Sequence, residues 1–185
     1  MAKKQQEQAL PEILARAGRV RLLLLDVDGV LTDGGLDYGP GDGVESRRFD
    51  VKDGAGIYLA VKHGFEVGIL TGKRSRAVEM RASDLGISRV VQGSRDKRKG
   101  LEEALADGKY APEEVAYVGD DIIDLPVFAK VGFTACPSDA HSLVKARVDY
   151  VCSLPGGHGA VREVIDLILT SRGDMDAVLR EFEEE

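Results

Sequence analysis

The chain has 185 residues, of which 43% are hydrophobic and 31% are charged, a composition typical of a folded globular protein and too balanced for a disordered one. This length fits a single domain. The formal net charge of -7 argues against a general nucleic-acid binder, because such proteins need a basic face to neutralise phosphates.

The N-terminal segment, MAKKQQEQALPEILARAG, lacks the apolar core of a secretory signal peptide. The sequence also has no run of about 18 apolar residues, which is the length of a membrane-spanning helix. The two cysteines, Cys136 and Cys152, lie in apolar surroundings and lack the close pairing of a zinc site, so we expect buried reduced thiols rather than zinc ligands. We therefore expect a cytoplasmic location.

Short apolar segments alternate along the chain with segments of helical periodicity. Strands are predicted at residues 20–25, 66–70, 115–118, 133–135 and 150–151. Helices are predicted where apolar residues recur at three- and four-residue spacing, at residues 54–62, 75–85, 97–106, 125–130, 140–145 and 160–170. This alternation predicts an α/β fold with a doubly wound, mostly parallel, Rossmann-like sheet.

Two segments depart from this alternation within the single domain at 1–185. A glycine and proline turn at residues 39–43 separates two extended stretches, which predicts a β-hairpin at about 34–50 that projects from the sheet. The acidic tail at about 173–185 can form a helix only if a partner covers its apolar residues, which are Met175, Val178, Leu179 and Phe182.

The strongest chemical signal is LLLLDVDGVLTDG, in which four leucines are followed by Asp26, Asp28 and Asp33. A buried strand followed by carboxylates places them at its carboxyl end, where open α/β sheets bind ligands. Asp26 and Asp28 can approach the same ligand, while Gly29 lets the chain turn away beneath it. An EF-hand calcium loop is excluded, because the fifth and sixth positions of that loop do not match. Simple turn formation after a strand remains the alternative.

A second acidic cluster, in AYVGDDIIDLPVF, follows the strand predicted at residues 115–118 and contains Asp120, Asp121 and Asp124. If the two strands are neighbours, Asp26 and Asp120 repel each other strongly and require a cation. Oxygen ligands with open water positions suit Mg²⁺. Asp121 and Asp124 fit helix N-caps as well, and both interpretations stay open for them.

Two further residues complete a candidate phosphate site. Thr71 ends the strand at ILTGK, where its hydroxyl and the following backbone N–H groups can donate hydrogen bonds to a phosphoryl oxygen. Lys97 begins the helix after VVQGSRD and can neutralise charge on the same group. Read alone, Thr71 fits an ordinary strand-to-helix cap, and Lys97 fits a solvated basic face.

Four motifs resemble, in order and context, the haloacid dehalogenase phosphohydrolase superfamily: DVDGVLTDG, LTGK, Lys97 and VGDDIID. Five segments are further similar to its 3-deoxy-D-manno-octulosonate 8-phosphate phosphatase family: FDVKDGAGI, QGSRDK, VAYVGDDIIDLPV, KVGFTAC and GGHGAVREVIDLIL. The resemblance covers about residues 15–172. It implies a Mg²⁺-dependent phosphomonoesterase of lipopolysaccharide precursor synthesis that forms an aspartyl-phosphate.

The resemblance also implies a role for each matching residue. Asp26 is the nucleophile, and Asp28 is first the general acid for the leaving alkoxide and then the base for water. Thr71 and Lys97 hold the other phosphoryl oxygens. The metal ligands are the Asp26 carboxylate, the Asp28 carbonyl and Asp120, with Asp121 and Asp124 in support.

Substrate recognition requires positive charge beyond the metal. Four basic residues follow Thr71 on a helix predicted to begin at the site, namely Lys73, Arg74, Arg76 and Arg81. We expect Arg76 and Arg81 to bind a sugar-acid carboxylate across a subunit boundary. A solvated helix face is the alternative. The further candidates are Gly72, Lys52, Asp53 and Gly54.

The family pattern bears on substrate and assembly. Phosphatases of nine-carbon sialic-type sugar acid 9-phosphates look similar but carry an acidic residue directly after the Thr-Gly pair, where this chain has Lys73. This difference favours the eight-carbon substrate. The resemblance implies a homotetramer without a separate cap domain, in which the hairpins meet and neighbouring subunits border the active site. No nucleic-acid or membrane partner is expected.

Two other classes of protein share parts of the pattern. A phospho-receiver domain also combines a doubly wound sheet with an accepting Asp, Mg²⁺, Thr and Lys. In that family the acidic pair precedes the accepting Asp, whereas here Asp120 and Asp121 come last. A non-catalytic oligomerisation module can dispense with its nucleophile, whereas this chain keeps every expected catalytic residue.

Overall fold

The computed structural model describes residues 2–38 and 45–183. Its centre is a six-stranded parallel sheet formed by β1 (Leu22–Leu25), β4 (Glu66–Thr71), β5 (Arg89–Gln92), β6 (Val115–Val118), β7 (Phe133–Cys136) and β8 (Tyr150–Val151). Between β1 and β4 the chain forms a separate antiparallel pair, β2 (Asp37–Tyr38) and β3 (Glu45–Ser46). The parallel sheet confirms the predicted fold class.

The order of the strands in the main sheet is β5-β4-β1-β6-β7-β8. Strand β1 lies inside the sheet and pairs in parallel with β4 on one side and β6 on the other. The chain therefore builds the sheet outward from β1 in one direction and then in the other, as in a Rossmann fold. This reversal leaves a crevice at the carboxyl ends of β1 and its neighbours, which is where such folds bind ligands.

Helices cover both faces of the sheet. They are α1 (Ala2–Ala17), α2 (Val51–Lys62), α3 (Arg76–Asp84), α4 (Lys97–Ala104), α5 (Leu125–Phe128), α6 (Ser142–Lys145), α7 (Ala160–Arg172) and α8 (Met175–Glu183). Two short 3₁₀ helices cover Pro112–Glu114 and Ile122–Asp124. Within the described residues, no helix has both the length and the apolar character needed to cross a membrane.

The four leucines of β1 show why this strand lies at the centre. Leu23 and Leu25 belong to a core shared with α2, α3 and α7, whereas Leu22 and Leu24 face the opposite core with α4, α5 and α6. Alternate side chains of a strand point to opposite faces, and here both faces are covered, so the strand has no polar alternation. Burial of each leucine contributes roughly 1.5–3 kcal/mol.

Besides the two 3₁₀ helices, the structure adds a strand and a helix that the sequence pattern did not reveal. Strand β5 is an edge strand in which two valines stand between polar residues, so its apolar run is too short to stand out. Helix α1 ends at Ala17, whose side chain is fully buried in the same core as α7. Beside it, a Cβ on Gly18 would lie 2.9 Å from the carbonyl oxygen of Ser171, so the chain approaches the end of α7 closely.

Helix α2 begins three residues before its predicted start. Asp50 is its N-cap, and the carboxylate of Asp50 accepts hydrogen bonds from the backbone N–H groups of Lys52 (2.6 Å) and Asp53 (3.2 Å). This cap satisfies N–H groups that have no partner inside the helix. The predicted strand at residues 20–25 is shorter than expected and begins at Leu22.

The hairpin segment and the tail are only partly predictable. Strands β2 and β3 pair as the hairpin requires, but the predicted turn at residues 39–43 lies outside the described residues. In the tail, α8 places Val178 in the core beside α7, so the chain itself supplies part of the expected partner. Leu179 and Phe182 remain 46% and 62% exposed.

Candidate active site

A cavity of about 500 Å³ opens at the carboxyl ends of β1, β4 and β6. Each strand end brings a predicted residue to it, because parallel strands direct their carboxyl ends to one edge of the sheet. The predicted site residues in its wall are Asp26, Asp28, Thr71, Gly72, Lys73, Lys97, Asp120 and Asp121.

Asp26 directly follows β1 and is 5% exposed. Its backbone N–H donates to the carbonyl oxygen of Val118 at 2.9 Å, so the residue still belongs to the hydrogen-bonded edge of the sheet. Burial raises the pKa of the Asp26 carboxyl to about 6, although the nearby Lys97 ammonium opposes this shift. The backbone thus fixes a desolvated carboxylate at the floor of the cavity.

Lys97 is the first residue of α4 and is only 3% exposed, which rules out a solvated basic face. Its ammonium lies 2.8 Å from Oδ1 of Asp26 and 3.2 Å from Oδ1 of Asp124. It also donates hydrogen bonds to the carbonyl oxygen of Leu70 and the hydroxyl of Tyr117, both at 3.0 Å. These oxygens compensate the buried charge of Lys97 and direct it toward Asp26.

Asp124 is fully buried and uses both carboxylate oxygens to hold the loop after β6. Its Oδ2 accepts from the backbone N–H groups of Asp120 (3.1 Å) and Asp121 (3.2 Å), and its Oδ1 accepts from the Tyr117 hydroxyl (2.6 Å). Asp121 is exposed and caps the following 3₁₀ helix, since its carboxylate accepts from the backbone N–H of Ile122. Asp124 therefore orients the Asp120 loop.

Asp120 completes a group of three carboxylates. One oxygen from each of Asp26, Asp120 and Asp124 lies within 4.8 Å of the others. Burial, followed by repulsion from Asp26 and Asp124, raises the pKa of the Asp120 carboxyl to about 7. A hard divalent cation relieves this repulsion, and a set of donors composed only of oxygen atoms fits Mg²⁺.

Gly29 has a specific steric role beside this group. Its φ is 85°, and a Cβ at this position would lie 2.2 Å from Oδ2 of Asp120. The turn after Asp28 therefore requires glycine both for its backbone conformation and for the close approach of Asp120.

Asp28 is held by a residue that the sequence pattern did not single out. Nε of Arg47 donates to Oδ1 of Asp28 at 2.9 Å, and Nη2 donates to Oδ2 at 3.3 Å. The side chain of Arg47 is 1% exposed and that of Asp28 is 27% exposed. The only feature of the sequence that could have indicated Arg47 was the pair of adjacent arginines after β3 in an acidic chain. Tyr117 was also missed; its signal was a single hydroxyl in an otherwise apolar strand.

Five predicted substrate-binding residues lie outside the described wall of the cavity, namely Lys52, Asp53, Gly54, Arg76 and Arg81. Arg76 and Lys52 are exposed. Nη2 of Arg81 donates to the carbonyl oxygen of Asp50 at 3.1 Å, and its guanidinium lies 5.7 Å from the ring centre of Phe49. A Cβ on Gly54 would lie 2.0 Å from Nη2 of Arg81, so this arginine packs on the start of α2.

The carboxylate of Asp53 points to α7 and is 1% exposed. It accepts hydrogen bonds from the backbone N–H groups of Arg162 (2.8 Å) and Gly159 (3.2 Å). Burial raises the pKa of the Asp53 carboxyl, and these hydrogen bonds oppose the rise. Within this chain, the Asp53 carboxylate therefore accepts from backbone N–H groups at the amino end of α7 that have no partner inside the helix.

Comparisons with known proteins show what the chain is similar to. Residues 69–165 match the haloacid dehalogenase-like hydrolase family. Over 165 residues the chain is 47% identical to the 3-deoxy-D-manno-octulosonate 8-phosphate phosphatase of Escherichia coli (strain K12), which covers 89% of this chain and 87% of that protein. The crystal structure of the Yersinia pestis phosphatase of the same name matches with a TM-score of 0.85 at 44% identity, over 89% of this chain and 88% of that one.

A further solved structure carries ligands. It is the Moraxella catarrhalis 3-deoxy-D-manno-octulosonate 8-phosphate phosphatase in complex with a magnesium ion, a phosphate ion and a KDO molecule. It matches with a TM-score of 0.88 at 36% identity, over 93% of this chain and 98% of that one.

Proposed function

Since the chain belongs to the haloacid dehalogenase-like hydrolases and, within them, to the 3-deoxy-D-manno-octulosonate 8-phosphate phosphatases, we propose that it is a Mg²⁺-dependent phosphomonoesterase acting on that sugar phosphate. The products are the free sugar acid and phosphate, in lipopolysaccharide precursor synthesis. The observation that carries the proposal is the buried Asp26 carboxylate, with Lys97 and Asp120 beside it, in one cavity.

The proposed reaction has two steps on this chain's own carboxylates. Asp26 attacks phosphorus, the bond from phosphorus to the sugar oxygen breaks, and Asp28 gives its proton to that oxygen. Water then attacks the aspartyl-phosphate while Asp28 accepts its proton, which frees Asp26. Thr71 and Lys97 are proposed to hold the phosphoryl oxygens as charge spreads over them.

The metal is proposed to be held by the Asp26 and Asp120 carboxylates and the Asp28 carbonyl. Bound there, Mg²⁺ neutralises negative charge on the phosphoryl group. Asp124 is proposed to support the site indirectly and not as a metal ligand, because its own oxygens already accept from Tyr117 and two backbone N–H groups. Asp121 supports it by capping the 3₁₀ helix that follows Asp120.

Substrate binding in a single chain is proposed to rest on Gly72 and Lys73, which border the cavity beside Thr71. Arg76 and Lys52 are exposed and lie outside the cavity wall, and they are proposed to contact the sugar acid bound to a neighbouring subunit. The other three proposed residues act indirectly through the start of α2, because they pack within the chain: Arg81, Asp53 and Gly54.

We also propose a homotetramer in the cytoplasm, without nucleic-acid or membrane partners. The small β2–β3 pair outside the main sheet supports the assembly, because an isolated two-stranded hairpin is marginally stable in water.

The two buried free thiols support the proposed cytoplasmic location, because they suit a reducing compartment. Burial raises the pKa of the Cys136 thiol to about 12 and that of Cys152 well above its ordinary value, so neither is reactive.

Steady-state hydrolysis of a panel of sugar and sugar-acid phosphates tests the function. The wild type with Mg²⁺ should prefer the eight-carbon 8-phosphate, while Asp26→Asn should be folded and inactive and excess EDTA should abolish turnover. The nine-carbon 9-phosphate is the competing substrate. A kcat/KM for the nine-carbon 9-phosphate that is tenfold higher than for the eight-carbon 8-phosphate, which is about 1.4 kcal/mol of transition-state binding, would overturn the proposed substrate. Activity in Asp26→Asn would overturn the mechanism.

A further inference from the structure

The base of the hairpin contacts the proposed general acid. Arg47 follows β3 directly, and its guanidinium donates to both carboxylate oxygens of Asp28 at 2.9 and 3.3 Å. Because the Arg47 side chain is 1% exposed and Asp28 borders the cavity, the arginine supports the carboxylate from the protein side. This contact joins two parts of the chain that are 19 residues apart.

The guanidinium group is suited to this contact. Its planar fork of N–H donors matches a carboxylate in two parallel hydrogen bonds, which fix direction as well as distance. An aspartate without such support samples several rotamers, and small misplacement of a catalytic group costs about 10²-fold in rate. Asp28 must face the leaving oxygen in the first step and the attacking water in the second, so its orientation matters in both.

We propose that Arg47, at the base of the hairpin, is a positioning residue for Asp28. By holding the Asp28 carboxyl group in one orientation, it sets the direction in which Asp28 transfers its proton. The inference rests on the proposed function. Arg47 does not border the cavity among the described residues, so it acts through Asp28 and not on the substrate.

The next residue provides a matched control. Nη2 of Arg48 donates to Oδ2 of Asp33 at 2.8 Å, but the Arg48 side chain is 78% exposed. The two arginines are adjacent in the chain, yet the side chain of Arg47 is buried against Asp28 and that of Arg48 is exposed. Arg48→Met therefore removes the same charge from the same segment without touching Asp28.

The test separates two kinds of leaving group under single-turnover conditions with enzyme in excess. An alkyl phosphate, such as the proposed substrate, needs a proton on its leaving oxygen, whereas 4-nitrophenyl phosphate releases a stable phenolate without one. Arg47→Met should lower the cleavage rate of the alkyl phosphate by about 10- to 100-fold and leave the first release of nitrophenolate within about threefold. Arg47→Lys should recover part of the alkyl rate, and Arg48→Met should change neither rate by more than about twofold.

Equal losses for both esters, or no loss for either, would overturn the proposal, because a structural defect does not distinguish leaving groups. If Arg47→Met does not fold, Arg47→Gln, which keeps an amide NH₂ group as donor but loses the positive charge, is measured by the same criterion. The reactions of the wild type distinguish a failure of the Arg47 proposal from a failure of the proposed function. A wild type that cleaves neither ester overturns both, whereas a wild type that cleaves both limits the failure to Arg47.

Discussion

At the floor of the cavity, three charged side chains are buried together and held by hydrogen bonds. The ammonium of Lys97 contacts Asp26 and Asp124, and Tyr117 joins Lys97 to Asp124. Buried charges are tolerated only when they are paired and hydrogen-bonded, and removal of one partner is costly. The Tyr117 hydroxyl therefore helps to orient the side chains of both Lys97 and Asp124.

Tyr117→Phe tests this role without a change in volume. The variant loses the hydrogen bond to Asp124 at 2.6 Å and the one from Lys97 at 3.0 Å. We expect the free energy of unfolding to fall by about 1–3 kcal/mol in urea titrations, and kcat to fall several-fold. Tyr150→Phe is the control, because it also loses a hydroxyl bond to a carboxylate, that of Glu163 at 2.6 Å. It should lose stability but keep kcat; a wild-type kcat in Tyr117→Phe would argue against the network.

At the scale of elements, the positions of β1 and β6 were predictable because every residue of these two strands is apolar or aromatic and buried. The meeting of Asp26 with Asp120 followed from the rule that parallel strands end at one edge of a sheet. Contacts between particular side chains could not be predicted in this way. Arg47 reaches Asp28 from 19 residues away, and Tyr117 reaches Asp124 across the loop after β6, and no local sequence pattern marks either pair.

Asp53 shows the same limit for helix caps. An N-cap normally stands just before its helix, as Asp50 does for α2, although the predicted start of α2 was three residues too late to mark it. Asp53 instead satisfies the amino end of α7, more than 100 residues further along, from within another helix. Its match to a family motif therefore suggested a substrate role, whereas its contacts in this chain are structural.

Asp53→Ala separates the two roles. Loss of the bonds to the backbone of Gly159 and Arg162 should lower the free energy of unfolding by about 1.5–3 kcal/mol. The KM of the folded enzyme should rise only slightly, because Asp53 is proposed to act on the substrate only through the position of α2. Asp166→Ala, which removes an exposed ion pair within α7, should cost less than about 1 kcal/mol. A large rise in KM with unchanged stability would instead assign Asp53 to the substrate.

At the scale of the whole molecule, a second charged cluster lies at the amino end of the sheet, away from the cavity. Glu66, the first residue of β4, accepts from Arg89, Lys109 and Tyr110. Burial alone would raise the pKa of the Glu66 carboxyl, but these hydrogen bonds outweigh it and hold the pKa at about 2, against an ordinary value of 4.5. The cluster joins β4 to β5 and to the segment before β6.

The low pKa of Glu66 predicts the pH dependence of stability. A carboxyl with a lower pKa in the folded state stabilises fully above its unfolded pKa of 4.5, and this contribution is lost as the pH falls toward about 2. Glu66→Gln should therefore unfold at lower urea than the wild type at pH 7, and the difference should shrink steadily between pH 5 and pH 3. A difference that is constant over this range would contradict the account.

The proposed tetramer is tested by light scattering at micromolar concentration. Replacement of residues 38–44 by a two-residue turn should weaken assembly and activity together if neighbouring subunits complete the site. Most of the residues replaced lie outside the described part of the chain. A monomeric wild type with full activity would contradict the proposed assembly.

The central claim is that Asp26 carries the phosphoryl group, and mapping of the covalent intermediate tests it most directly. Asp28→Asn treated with 4-nitrophenyl phosphate should accumulate the intermediate, because the first step then needs no acid and the second lacks its base. Borohydride reduces an acyl phosphate to an alcohol, which peptide mass spectrometry can locate. Reduction is expected at Asp26, and only in the substrate-treated protein. Reduction at another carboxylate, or steady hydrolysis with no reduced residue, would contradict it.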